Sequence, residues 1–95
     1  MSLKGMEIYF EMGHKDTLVD FLLAQGYDGF YFFPCDRYGA GAFLISAQEQ
    51  VSARREFGMF RLFVSAETIG SLSLAIRSEL KEDTITIVTY EVHEA

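Results

Sequence analysis

The chain of 95 residues has room for one domain around a single core, and an apolar share of 49% with 15% aromatic residues excludes a disordered polypeptide. Its net charge of −6 weighs against nucleic acid and anionic membrane as main partners, since both favour a basic surface. No apolar run reaches the roughly 18 residues of a membrane-crossing helix, and the lone Cys35 cannot close an intrachain disulfide, so a reducing, cytoplasmic setting without membrane insertion is expected.

Residues 1–5, Met-Ser-Leu-Lys-Gly, lack the apolar centre of a signal peptide and are expected to be disordered or left over from expression. From Met6 to Met12 apolar and polar side chains alternate, which predicts a strand with Met6, Ile8, Phe10 and Met12 on one face and Glu7, Tyr9 and Glu11 on the other. A turn follows at Gly13-His14-Lys15. Asp16 or Thr17 is expected to cap a helix over 16–25, with Asp20 completing a capping box and Gly26 ending it.

A second strand is predicted from near Asp28. It is apolar on both parities, Phe30 and Phe32 against Tyr31, Phe33 and Cys35, as suits a strand covered on both sides. Pro34 has no amide hydrogen and places that strand at an edge or a bulge. A long loop over 37–53 then carries Gly39 and Gly41, and a third strand runs over about 55–64, interrupted by Gly58. Phe60, Leu62 and Val64 share one of its faces; Phe57, Met59, Arg61 and Phe63 share the other.

Ser65 is a suitable N-cap, and Ile69, Leu72, Ile76 and Leu80 fall on one face of the helix after it. A short connection, Lys81-Glu82-Asp83, leads to a last strand over 84–92. Its alternation changes parity at Ile87-Val88, the sign of a bulge or of a second buried face.

The order βαββαβ predicts an α+β, ferredoxin-like domain spanning 1–95: a four-stranded antiparallel sheet with two helices on one face. The other face would then hold Tyr9, Met59, Phe63 and one parity of the second strand. That exceeds the apolar patch soluble monomers usually show. Covering it is worth on the order of 10 kcal/mol at about 25 cal/mol per Å2, before association costs. A symmetric oligomer is therefore expected. Glu7 and Glu11 can neighbour Arg61 on that face, and such a cluster in an interface fixes geometry more than it adds stability.

Arg54 and Arg55, with Gln48, Glu49 and Gln50, form the densest polar group, and Arg37 and Tyr38 open the same loop. These seven residues are the candidate ligand or partner site, an anion or partner surface at a subunit cleft. The alternative is a solvated loop base with one arginine bonded to carbonyls. For a metal, His14 and Cys35 are weak candidates: no CxxC or HxxxH spacing supports them, and a strand lies between their parent elements. Cys35 beside Asp36 has its thiolate disfavoured, and no nucleophile–base–orienter arrangement is evident, so an enzyme is not expected.

The element order, Gly26-Tyr27 leading into the aromatic strand, Phe33-Pro34-Cys35-Asp36, the loop from Gly39 to Ser46 and the run Ala47 to Arg55 together resemble the PII-like superfamily, the nitrogen regulatory proteins and their CutA relatives. More narrowly the chain resembles an uncharacterised branch often encoded beside heavy-metal efflux pumps. The resemblance implies a trimer, loops that touch partners, and ligand binding in the clefts between subunits. It implies a non-enzymatic sensor or adaptor, with an efflux pump as one conceivable partner. The alternative it offers is a CutA-like protein binding copper or a related divalent metal. PII proteins that bind nucleotide carry a glycine- and lysine-rich phosphate loop before the last strand. Here that place holds Lys81-Glu82-Asp83-Thr84, without glycine and with two carboxylates, which counts against nucleotide binding in the usual PII manner and leaves the cofactor unknown.

Overall fold

The computed structural model describes residues 3–39, 54–80 and 85–95. Strand β1 (Leu3–Glu11) is followed by a short 3-10 turn and helix α1 (Lys15–Ala24). Strands β2 (Tyr31–Tyr38) and β3 (Arg54–Ser65) come next, then a second 3-10 turn, helix α2 (Ile69–Leu80) and strand β4 (Thr86–Glu91). The sheet order is β2-β3-β1-β4, antiparallel throughout, so the expected ferredoxin-like βαββαβ arrangement is present.

The core follows from the alternation in the strands. Met6, Ile8 and Phe10 of β1 and Phe60, Leu62 and Val64 of β3 are buried beneath Leu18 and Leu22 of α1 and Leu72 and Ile76 of α2. Phe60 is its centre. Its ring lies 4.7 Å from that of Phe10, meets Phe30 edge-on at 5.2 Å, and sits 5.7 Å from Phe32. Gly58 pairs with Phe10 on β1 and Pro34 on β2 without interrupting β3. Glycine is required there because a Cβ would come within 2.7 Å of the Phe32 ring and 2.8 Å of the Phe10 ring.

Helix α1 ends where Gly26 adopts φ +89°. The Gly26 amide donates to the Leu23 carbonyl at 3.1 Å and the Tyr27 amide to the Leu22 carbonyl at 2.9 Å, a left-handed glycine stop that satisfies the last carbonyls.

Several sequence expectations change. Leu3, Lys4 and Gly5, expected outside the fold, pair with Ser65, Val64 and Phe63 as the first rungs of β1. Met12 leaves the strand for the 3-10 turn, whose last residue, His14, takes the N-cap position of α1 without a side-chain cap bond. Thr17 consequently lies inside the helix and no capping box forms. Strand β2 begins at Tyr31 rather than near Asp28, because Gly29 turns the chain at φ +72° and Phe30 tucks against Phe60. Strand β4 pairs with β1 in unbroken register from Lys4↔Glu91 to Tyr9↔Thr86. The parity change at Ile87-Val88 thus reflects two apolar faces: Ile87 packs against the core and Val88 faces the other way.

Replacing Gly58 with alanine should drive the new methyl into the Phe10 and Phe32 rings. We expect a loss of about 1–3 kcal/mol, typical of overpacking, read as a lower urea midpoint with the slope unchanged.

Candidate functional site

The face of the sheet away from the helices is built in rows. Tyr31, Arg61, Glu7 and Val88 form one row across all four strands, and Phe33, Met59, Tyr9 and Thr86 form the next. Phe63, Gly5 and Tyr90 form a third. Tyr31 (58% exposed), Phe33 (40%), Phe63 (47%) and Val88 (39%) stand open to solvent, which makes this an uncovered apolar surface rather than scattered single residues.

A polar knot sits in the middle of it. Arg61 donates through Nε and Nη2 to Glu7 Oε2 at 3.2 and 3.1 Å, and the Tyr9 hydroxyl donates to Glu7 Oε1 at 2.7 Å. The Arg61 guanidinium lies 5.0 Å from the centre of the Phe33 ring. Tyr90 lies across Gly5, where any Cβ would strike its ring. The Tyr9 hydrogen bond, helped by the Arg61 contact and charge, holds the Glu7 carboxyl below its ordinary range although burial opposes this. In return the Glu7 hydrogen bond raises the Tyr9 phenol, and burial followed by the Glu7 charge raises Tyr90. The Glu7–Arg61 neighbourhood and Tyr9, two residues after Glu7 on the same face, were legible in the sequence. Glu11, expected beside Arg61, meets Arg55 instead, and Tyr90 and Phe33 as surroundings of the knot were not foreseen.

The sheet is staggered, so β2 and β3 outrun β1. Asp36, Arg37 and Tyr38 pair with Glu56, Arg55 and Arg54 as a two-stranded ribbon beyond Glu11. Arg54 donates to Asp36 at 3.0 Å and Arg55 to Glu11 at 3.1 Å, while Arg37 lies over the Phe57 ring at 5.7 Å. Four of the seven candidate residues, Arg37, Tyr38, Arg54 and Arg55, therefore meet on one ribbon, with Tyr38 74% exposed. Arg37 and Tyr38, expected at the start of the 37–53 loop, instead extend β2 by pairing with Arg55 and Arg54. Gln48, Glu49 and Gln50, with the rest of 40–53 and Lys81-Glu82-Asp83-Thr84, lie outside the described residues. His14 sits in the turn after β1, and Cys35 is exposed on β2 with β3 between them. Among the described residues no group of three or more His, Cys, Asp or Glu converges as a metal site, and no helix is long and apolar enough to cross a membrane. At the far end of the sheet an open hollow of about 500 Å3 is lined by Leu3, Phe63, Val92, His93 and Glu94.

A family model described as protein of unknown function (DUF3240) matches residues 2–95. Among solved structures, a DUF3240 family protein from Shewanella baltica OS155 superimposes with a TM-score of 0.76 at 16% identity, over 100% of this chain and 94% of that one. CPII, a nitrogen regulatory PII-like protein from Thiomonas intermedia K12 bound to ADP, AMP and bicarbonate, gives 0.74 at 19% identity, over 100% and 94%. The B. subtilis GlnK–ATP complex gives 0.73 at 17%, over 96% and 82%. At these identities the likeness is one of fold, and that fold is PII-like. No curated protein matches the chain.

The depressed Glu7 carboxyl ties stability to pH. Its folded-state value lies below the ordinary 4.5, so the knot contributes fully above that value and its contribution is lost as pH falls through the lowered one. Urea midpoints measured from neutral pH downward should fall for the wild type, and the gap between wild type and Glu7→Gln should close in acid. A gap that stays constant down to the acid limit would contradict this assignment.

Proposed function

The chain belongs to the DUF3240 family, and from that premise and its PII-like fold we propose that it is a non-enzymatic regulatory protein that assembles as a homotrimer through its open sheet face. In this reading it works in the cytoplasm and binds a small anionic ligand, or a protein partner, where the β2–β3 ribbon meets a neighbouring subunit.

The observation that carries the proposal is the pairing of two surfaces on one sheet. The apolar rows give copies a reason to associate, and the ribbon holds Arg37 and Arg55 on the same face beyond those rows, with Arg54 on its opposite side. Each arginine has a local contact, Asp36, Glu11 or the Phe57 ring, on side chains that remain largely open to solvent. An incoming anion can compete with such exposed pairs cheaply, because surface ion pairs contribute only about 0–1 kcal/mol. CPII binds ADP, AMP and bicarbonate and GlnK binds ATP, which sets the ligand chemistry to try first. Bicarbonate suits Arg37 and Arg55, cross-strand partners on one face of the ribbon, and needs no phosphate loop of the kind that Lys81-Glu82-Asp83-Thr84 does not spell. A link to heavy-metal efflux enters as a partner hypothesis: a cytoplasmic segment of a pump would be an occupant of the same ribbon. The regulatory reading is preferred to the copper-binding alternative because Arg37 and Arg55 already share one face of the ribbon.

Isothermal titration of the full chain with bicarbonate, AMP and ADP, singly and in pairs, tests the ligand. We expect saturable binding that weakens at least about ten-fold in Arg37→Ala/Arg55→Ala, the loss of at least one charge-assisted contact, and much less in Arg54→Ala, on the other side of the ribbon. Absence of binding to all three, together with no capture of pump-derived cytoplasmic peptides, would remove the ribbon's role.

A further inference from the structure

We infer that the Glu7–Arg61 pair, with Tyr9, Tyr90 and Phe33 around it, is a register lock for self-association: it lets the open face close only on further copies of this chain, set in one relative orientation. The inference rests on the reading of that face as the assembly surface and says what makes the assembly unique.

Glu7 accepts from Tyr9 on one oxygen and from two Arg61 nitrogens on the other. A guanidinium has five N–H donors, and Phe33 lies 5.0 Å from this one. The donors not used on Glu7 belong to a side chain still 39% exposed, whereas Glu7 is only 15% exposed. Water serves those donors while the face is bare. Once Tyr31, Phe33, Phe63 and Val88 are covered, water leaves and each remaining donor needs an acceptor or is stranded in an apolar seam.

That requirement selects the covering surface. A purely aliphatic one would strand the guanidinium. An acidic one would place a second carboxylate beside Glu7, a like charge in a poorly hydrated site. What fits is an apolar surface bearing neutral oxygen acceptors, and this face is itself such a surface. It carries Tyr9, Tyr31 and Tyr90 among its apolar rows, and Tyr31 stands exposed in the same row as Arg61. A further copy therefore meets ring with ring and offers a tyrosine hydroxyl to the guanidinium. The apolar rows alone are indifferent to sliding and rotation; the knot is not. A buried ion pair of this kind adds little stability relative to apolar residues of the same size, and its attested use is in fixing orientation and stoichiometry.

Sedimentation equilibrium of the full chain at micromolar concentrations, with circular dichroism to verify that each variant is folded, tests the lock. The wild type should sediment as one closed species. Glu7→Met and Arg61→Met, each leaving one buried charge unpaired, should associate at least about ten-fold more weakly. Arg61→Lys, which keeps the charge but loses the fork, serves as the second probe and should also weaken association. The double variant Glu7→Met/Arg61→Met should associate at least as tightly as the wild type while spreading over several stoichiometries. If the wild type assembles and the single and double variants all keep its one stoichiometry and affinity, the lock is refuted while the assembly face stands. A wild type that sediments as a single subunit refutes both.

Discussion

Each interior strand of this sheet has two faces to satisfy, and the helices can reach only one. Strand β3 shows the constraint most plainly. Phe60, Leu62 and Val64 are buried under α1 and α2, while Met59, Arg61 and Phe63 point away from both. The same division runs through β1, where Ile8 and Phe10 are fully buried and Glu7 and Tyr9 turn outward. The fold closes one core around the Phe60 ring cluster and leaves a second, partly apolar face open.

Charge on this protein is organised around that division. The chain as a whole is acidic, yet the open face and the ribbon hold Arg61, Arg37, Arg55 and Arg54, most of them against a carboxylate on a neighbouring strand. Within the rows the pair is made by two arginine nitrogens and is partly buried; along the ribbon each pair has a single contact and is more exposed. That gradient separates a region suited to fixed packing from one suited to exchange of partners. Lys4 and Glu91 repeat the exposed kind of pair on the helix side, where it tethers β4 to β1.

Much of this was legible in the residues. Alternation gave β1 and both faces of β3, since Met6-Ile8-Phe10 and Phe60-Leu62-Val64 each keep strict period two. Pro34 placed β2 at an edge, and Gly26 ended α1 by the left-handed geometry its side-chain-free backbone allows. Other features depend on distances that only folding brings about. Tyr90 reaches the knot because its strand register sets it opposite Gly5, and nothing local in Thr89-Tyr90-Glu91 says so. The start of α1 escaped for a different reason: Thr17 and Asp20 have the spacing of a cap, but the 3-10 turn at Met12–His14 winds the chain into the helix two residues sooner. Of the candidate site, the arginines of the ribbon could be grouped from sequence, whereas their partners Asp36, Glu11 and Phe57 required the stagger between β1 and β3.

Strand β3 runs without a bulge from Arg54 to Ser65, a rod of roughly 40 Å at about 3.3 Å per residue. Its first three residues form the ribbon and the rest runs between the aromatic cluster and the uncovered rows. Between the ribbon and Met59 lies Gly58, held by the Phe10 and Phe32 rings that its missing side chain admits. In the proposed assembly, an occupant of the ribbon would pull on the same strand that carries Met59 and Arg61 to the open face.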